Sequence, residues 1–187
     1  MDLNSGDVKQ VTDSNEYDSS PSWSPDGQWL VFETYLNDNL EVAIASVTDP
    51  AQKIIPLTQD SASDHSPVWA PDGRHIAFIS TRSGDSDVWL ADLDLADDER
   101  YQNLSKTPFA AENHPVWNFD GSQLLWASIS QTIGYSGLYI WNAADPDRTA
   151  YWVGDGIWGS WNETAEKIVA VTNGSNQQYI TSYDIKG

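Results

Sequence analysis

One short phrase recurs four times along the chain: Pro21-Ser-Trp-Ser-Pro-Asp-Gly27, Pro67-Val-Trp-Ala-Pro-Asp-Gly73, Pro115-Val-Trp-Asn-Phe-Asp-Gly121 and, in a decayed form, Gly159-Ser-Trp-Asn-Glu-Thr-Ala165. The signature residues are Trp23, Asp26, Gly27; Trp69, Asp72, Gly73; Trp117, Asp120, Gly121; and Trp161. They return at intervals of roughly 45 residues, so each interval must hold one supersecondary unit that buries its faces against its neighbours. After each phrase comes an apolar run of strand length: Trp29-Leu-Val-Phe32, Ile76-Ala-Phe-Ile79, Leu124-Leu-Trp-Ala127 and Ile168-Val-Ala-Val171. Asp-Gly takes the positive φ of a tight turn, so phrase and run together predict a hairpin of strands A and B. A third alternating segment follows in every unit: Leu40–Val47, Ser86–Leu93, Ser136–Ala143 and Gln178–Ile185.

A shorter fourth segment completes the first three units, as Lys53–Thr58, Tyr101–Ser105 and Thr149–Val153. Pro56 is tolerable there because an outer edge can spare a donor. Four short strands per unit at this period predict an all-β propeller of four four-stranded blades. The expected division is a single domain, 1–187, with blades at 13–60, 61–107, 108–154 and 155–187. The fourth unit has no outer strand of its own, and Val8-Lys-Gln-Val-Thr12 has the matching sequence. Residues 1–12 are therefore expected to supply an outer strand that closes the last blade and removes exposed edges.

Charge narrows the partners. With 9 basic and 28 acidic residues, the net charge is −19, a field that repels nucleic acid and anionic membrane surfaces and attracts cations or basic proteins. The absence of cysteine removes disulfides, thiol nucleophiles and cysteine zinc sites. Met1–Gly6 shows neither a basic nor an apolar leader region, and no stretch approaches the roughly 18 apolar residues of a membrane span. No membrane insertion is expected.

The pattern Pro-x-Trp-Ser-Pro-Asp-Gly-x-x-[Ile/Leu]-[Ala/Val]-Phe, met at 21–32, 67–78 and 115–126, resembles the TolB-type, WD-like β-propeller repeat. The resemblance implies an extracytoplasmic or periplasmic protein whose propeller holds other proteins. It also implies two alternatives: the propeller that regulates a prolyl-oligopeptidase-like peptidase, and a propeller with a metal or sugar-acid site in its channel. TolB propellers usually have six blades, so four repeats form either a small ring or an arc of a larger propeller. An open arc would be prone to self-association.

Polar residues lie just before each strand A, where a propeller has its channel mouth. Asp18, Asp64, His65, Glu112, His114 and Asp155 are the candidate ligand- or partner-binding residues. Converging carboxylates there would suit calcium, and His65 with His114 a transition metal; the competing reading is that they bond backbone donors at the loop-to-strand corner. No resident cofactor is implied otherwise. The run Asp92–Glu99 lacks the order of an EF-hand and reads as a solvated loop. Gly154-Asp-Gly-Ile-Trp-Gly159 matches a dinucleotide fingerprint but no helix can follow it, so the glycines read as a bend. Neither Gly-x-Ser-x-Gly nor His-Glu-x-x-His occurs. The signature tryptophans are expected in the inter-blade core, leaving Trp152 and Trp158 as candidates for a ligand. The predicted role is that of a non-enzymatic protein-binding scaffold. Its contact surface would be the loops entering strand A and the turns 36–39, 82–85 and 132–135.

Overall fold

A computed structural model describes residues 6–49, 54–130, 136–145 and 150–185. Four antiparallel meanders follow one another along the chain. The first comprises β1 (Asp18–Trp23), β2 (Trp29–Leu36), β3 (Asn39–Ser46) and β4 (Ile55–Pro56). The second is β5 (Asp64–Trp69), β6 (His75–Ser80), β7 (Asp87–Asp92) and β8 (Tyr101–Asn103). The third is β9 (Ala110–Trp117), β10 (Gln123–Ser130), β11 (Gly137–Asn142) and β12 (Tyr151–Gly154). The fourth has three strands among the described residues: β13 (Ile157–Trp161), β14 (Lys167–Asn173) and β15 (Gln178–Asp184). These are the blades of the expected propeller.

The A–B turn of the first three blades is built in one way. Gly27, Gly73 and Gly121 sit at φ of 69°, 75° and 74°, a region closed to most side chains. The preceding aspartate ties the turn: Asp26 Oδ1 accepts the Gln28 N–H (3.0 Å), Asp72 Oδ1 that of Arg74 (2.8 Å) and Asp120 Oδ1 that of Ser122 (2.9 Å). The Ser24 hydroxyl, helped by this amide, holds the Asp26 carboxyl below its ordinary range, and Ser122 does the same for Asp120. In the fourth blade Ala165 occupies the glycine position at φ 57°. The turn survives because Asn162 Oδ1 accepts the Lys167 N–H (2.9 Å), as Asn118 accepts that of Gln123 (3.1 Å). Ala165→Gly relieves the strained alanine and should stabilise the protein by about 1 kcal/mol, seen as a rise of roughly 3 °C in the melting temperature; an unchanged or lower melt would show that the turn carries no strain.

Strand alternation sends successive side chains into opposite seams. In β6, Ile76 and Phe78 pack toward the first blade with Val31, Val42 and Ile44, whereas Ala77 and Ile79 pack toward the third with Leu124 and Trp126. Leu125, Leu138 and Ile140 then meet Ile168 and Ala170 of the fourth blade. Burial on both faces is why the B strands read as unbroken apolar runs. Trp69, Trp117 and Trp161 pack in the seam with the preceding blade, as expected. Trp161 Nε1 also donates across it to the Val116 carbonyl (3.1 Å).

Two features differ from expectation, and both concern the ends. Trp23 is 58% exposed, with no blade packed against it among the described residues. Residues 8–12 form no ladder with the fourth blade. Instead Lys9 Nζ donates to the Val47 carbonyl (2.6 Å), and Val11 packs on Phe32, Ala43 and Ala45. The physical reason is that this face of the first blade is apolar, and Val11 is the side chain within reach that can cover it.

Candidate binding face and channel

Every strand A carries a β-bulge at the same place. The register shifts between Ser19 and Ser22 in β1, His65 and Val68 in β5, and Ile157 and Ser160 in β13, with a matching shift between β9 and β10. The bulged residues Ser20, Ser66, His114 and Trp158 all have φ between 51° and 54°. Non-glycine residues pay for this conformation, and a bulge bends its strand and re-aims a side chain. Ser20, Ser66 and His114 consequently line one cleft of about 350 Å³ with Pro21, Pro67 and Pro115. The bulged residues of this cleft lie two residues beyond the carboxylates singled out from sequence, Asp18, Asp64 and Glu112.

Three of those carboxylates, Asp18, Asp64 and Glu112, are engaged elsewhere. The Asp64 side chain is 0% exposed and bonds Arg82 Nη2 at 2.7 Å; the guanidinium also lies over the rings of Phe78, Trp89 and Tyr101, 4.6 to 5.3 Å from their centroids. Burial pushes the Asp64 carboxyl up, against the pull of Ser80 and Arg82. Glu112 is 2% exposed and accepts the Ser128 hydroxyl on Oε1 (3.0 Å). Burial raises it to about 7, with Asp87 and Asp85 nearby adding to the shift. Asp18 Oδ2 accepts the Ser14 hydroxyl (2.8 Å), and the Asp155 carbonyl accepts from Tyr183 (2.6 Å).

Of the two candidate histidines, His114 faces the cleft, while His65 Nδ1 lies 3.1 Å from Ser66 Oγ. Burial lowers the His65 pKa, against the pull of Glu33 and Asp64. Among the described residues no three His, Cys, Asp or Glu side chains come together as a metal-binding group. The hydrogen bonds of the Asp18, Asp64 and Glu112 carboxylates go to the side chains of Ser14, Arg82 and Ser128 rather than to the backbone donors of the corner-bonding reading.

Three buried polar groups went unremarked in the sequence. Glu33 Oε2 accepts the Ser66 N–H (2.8 Å), and the Ser19 hydroxyl bonds its other oxygen, so one carboxylate straps two blades at their bulges. Glu41 accepts the Thr58 hydroxyl (2.6 Å), and Asp87 those of Ser83 (2.5 Å) and Ser105 (2.7 Å). An acid interrupting an apolar strand, as Glu33 does after Phe32, is the signal that could have found them.

Strand A begins, strand B ends and strand C begins at one rim. Tyr17, Tyr35, Ile129 and Phe109 are exposed there, Phe109 to 80%. They are held rather than loose. The Tyr35 N–H donates to the Tyr17 carbonyl (3.0 Å), and the Phe109 N–H to Asp85 Oδ2 (2.8 Å). The turn 36–39 is fixed by Asn37 and Asp38 at positive φ and by Asn39 Nδ2, which donates to the Asp60 carbonyl (2.9 Å). Turn 132–135 lies outside the described residues.

At the opposite rim the acidic run 92–99 is tied by Arg74 to Asp94 (2.5 Å) and Arg100 to Asp97 (2.9 Å). Gly154–Gly159 leads into β13, with Gly156 at φ 141°, so it is a bend. Trp152 and Trp158 are both exposed but do not line a common cleft among those described.

A family profile described as "TolB beta propeller domain" matches residues 1–106. Solved structures share the fold at low identity. TolB from Acinetobacter baumannii superposes with a TM-score of 0.73 at 15% identity, over 98% of this chain and 45% of that one. A puromycin-hydrolyzing peptidase from Mycobacterium tuberculosis gives 0.73 at 16%, over 97% and 29%, and an oligogalacturonate lyase in complex with manganese gives 0.72 at 16%, over 98% and 52%. The chain therefore spans about half or less of the length of these proteins. No curated protein matches it in sequence.

Proposed function

Because the chain belongs to the TolB β-propeller family, we propose that it is a non-enzymatic scaffold that binds another protein through the rim where strand A begins. The observation that carries this reading is the set of ordered, exposed apolar side chains on that rim, Tyr17, Tyr35, Phe109 and Ile129, interspersed with Asp38, Asp60 and Asp85. Aromatic anchors among acids fit a partner with apolar and basic side chains, and loops on a rigid frame are the usual carriers of such contacts. The net charge of −19 steers the same class of partner toward the disc. The absence of chemistry is inferred from the carboxylates, which are spent on Arg82, Ser128, Ser83 and Ser66 rather than aimed at a cleft. An extracytoplasmic site of action belongs to the same proposal, by family likeness.

The test is capture by the immobilised protein, with Tyr35→Ala/Phe109→Ser compared against Phe119→Ser, an exposed residue of an A–B turn at the other rim. The expected outcome is a partner held by wild type and by Phe119→Ser, lost at least tenfold in affinity by the double variant, and weakened by salt. Equal retention by all three proteins would overturn the assignment of the face.

A further inference from the structure

The seam between the second and third blades does not fill completely. At the rim of the A–B turns it holds a cavity of about 320 Å³, lined from the loop 93–100 between β7 and β8 and, on the third blade, by Gly121 and Ala143. Both flanking blades have four strands and pack against a neighbour on either side, so the cavity belongs to the interior of the array.

Its apolar lining comes from Leu90, Leu95, Trp117 and Trp141. The two indoles meet edge to face, with ring centroids 6.3 Å apart at 74°. Trp141 is 4% exposed, and the N–H groups of both indoles are buried without an acceptor among the described residues. Such donors are rare in folded proteins, because burial removes the water that would otherwise bond them. The corresponding tryptophan of the fourth blade, Trp161, has its acceptor in the Val116 carbonyl (3.1 Å), and in the seam of the first and second blades Trp69 alone lines its cleft with an unpartnered N–H. Among the described clefts, two orphan donors are brought together only here.

The polar lining supplies acceptors. Asp92 and Glu99 contribute carboxylates, and that of Glu99 has no hydrogen-bond partner among the described residues. The cations are already committed: Arg100 bonds Asp97 (2.9 Å) and the Leu95 carbonyl (3.1 Å), and His75 bonds Asp72 (2.6 Å).

This chemistry selects an occupant. An indole N–H can only donate, so the ligand must bring acceptors, which an ammonium cannot do. The acids of the lining and the net charge of −19 repel an anion. A hydroxyl accepts without charge and donates to a carboxylate in the same site, and a sugar ring joins several hydroxyls to apolar C–H faces that lie well on aromatic rings. We propose that this cavity binds one neutral sugar ring, whose hydroxyls accept from Trp117 and Trp141 and donate to Asp92 and Glu99. The volume, at the small end of ligand pockets, suits a single ring. The site lies at the other rim from the proposed protein-binding face, so either reading can fail alone.

Calorimetric titration with glucose, galactose, mannose and xylose tests the proposal, with glucuronate as the charged counterpart of the same ring. At least one neutral sugar should bind saturably in the millimolar range and raise the melting temperature, and glucuronate should bind roughly tenfold more weakly or worse. Ala143→Phe obstructs the cavity from an exposed position and Glu99→Gln alters an exposed loop residue, so both should keep the wild-type circular dichroism; the first should abolish binding and the second weaken it several-fold. Trp117→Phe keeps a ring but loses the N–H, and should also weaken binding several-fold. His114→Ala, in the separate cleft of the bulged residues, should bind as wild type does. No binding of any of these neutral sugars up to about 100 mM, equal binding of glucuronate, unchanged binding by Ala143→Phe, or loss of binding in His114→Ala overturns the proposal.

Discussion

Arg82→Ala should lower stability by about 3 to 5 kcal/mol, the cost of leaving a buried carboxylate without its cation, which corresponds to a melting temperature roughly 10 °C lower. The Asp64 side chain has no solvent to fall back on, and Arg82 is its cationic partner at 2.7 Å. The guanidinium also stacks against Phe78, Trp89 and Tyr101, so Arg82→Lys should recover little: an ammonium cannot present a flat cation to three rings while bonding a carboxylate. Removing both charges with Asp64→Asn/Arg82→Met should restore most of the loss, since a buried pair is strongly destabilised by losing one member and only weakly by losing both. Urea denaturation of the four proteins checks this. A single arginine variant that unfolds at the wild-type midpoint would show that Asp64 finds another partner or is neutral throughout.

Wild type should lose stability as pH rises through 7, by on the order of 2 kcal/mol, with Glu112 as the principal source. Its carboxyl titrates at about 7 in the fold and near the ordinary value of 4.5 when unfolded, so between these values the folded state binds the extra proton. That contribution is fully present below pH 4.5 and is lost as pH climbs past 7, opposite in sign to a carboxylate held by a cation. Burial is the leading cause, and the nearby acids Asp87 and Asp85 oppose ionisation further. Asp64 and Glu41, also pushed up by burial, act in the same direction. Glu112→Gln mimics the neutral form and should flatten the slope between pH 5 and 8, leaving the variant the more stable protein at pH 8. Thermal melts at half-unit pH steps decide it; parallel curves for wild type and variant would remove Glu112 as the cause.

The blades were legible because their signals are local. Asp-Gly at 26–27, 72–73 and 120–121 specifies a turn through positive φ, and the apolar runs that follow specify strands buried on both faces. The candidate site was legible only in outline. Asp64, Glu112 and His114 do lie at the start of strand A, but a one-residue bulge decides which side chain faces the cleft. Non-glycine residues such as Ser66 and His114 carry no sequence mark of a left-handed backbone. The buried carboxylates Glu33, Glu41 and Asp87 were missed for a related reason: an acid reads as exposed until its partner is known, and Ser66, Thr58 or Ser105 is brought to it by sheet register rather than by any motif.

Repetition alone, then, determined that this chain folds as a series of like blades, because units that cannot bury their own faces must stack on copies of themselves. What happens at the two ends was decided only by the tertiary structure. Trp23 sits in the same Pro-x-Trp-x-Pro-Asp-Gly phrase as Trp69, and Val169 in the same kind of strand as Ala77; yet Trp69 is packed in a seam and Ala77 buried, while Trp23 and Val169 are exposed. Burial there depends on whether another blade stands across the seam, and that is a property of position in the array, which no residue encodes by itself.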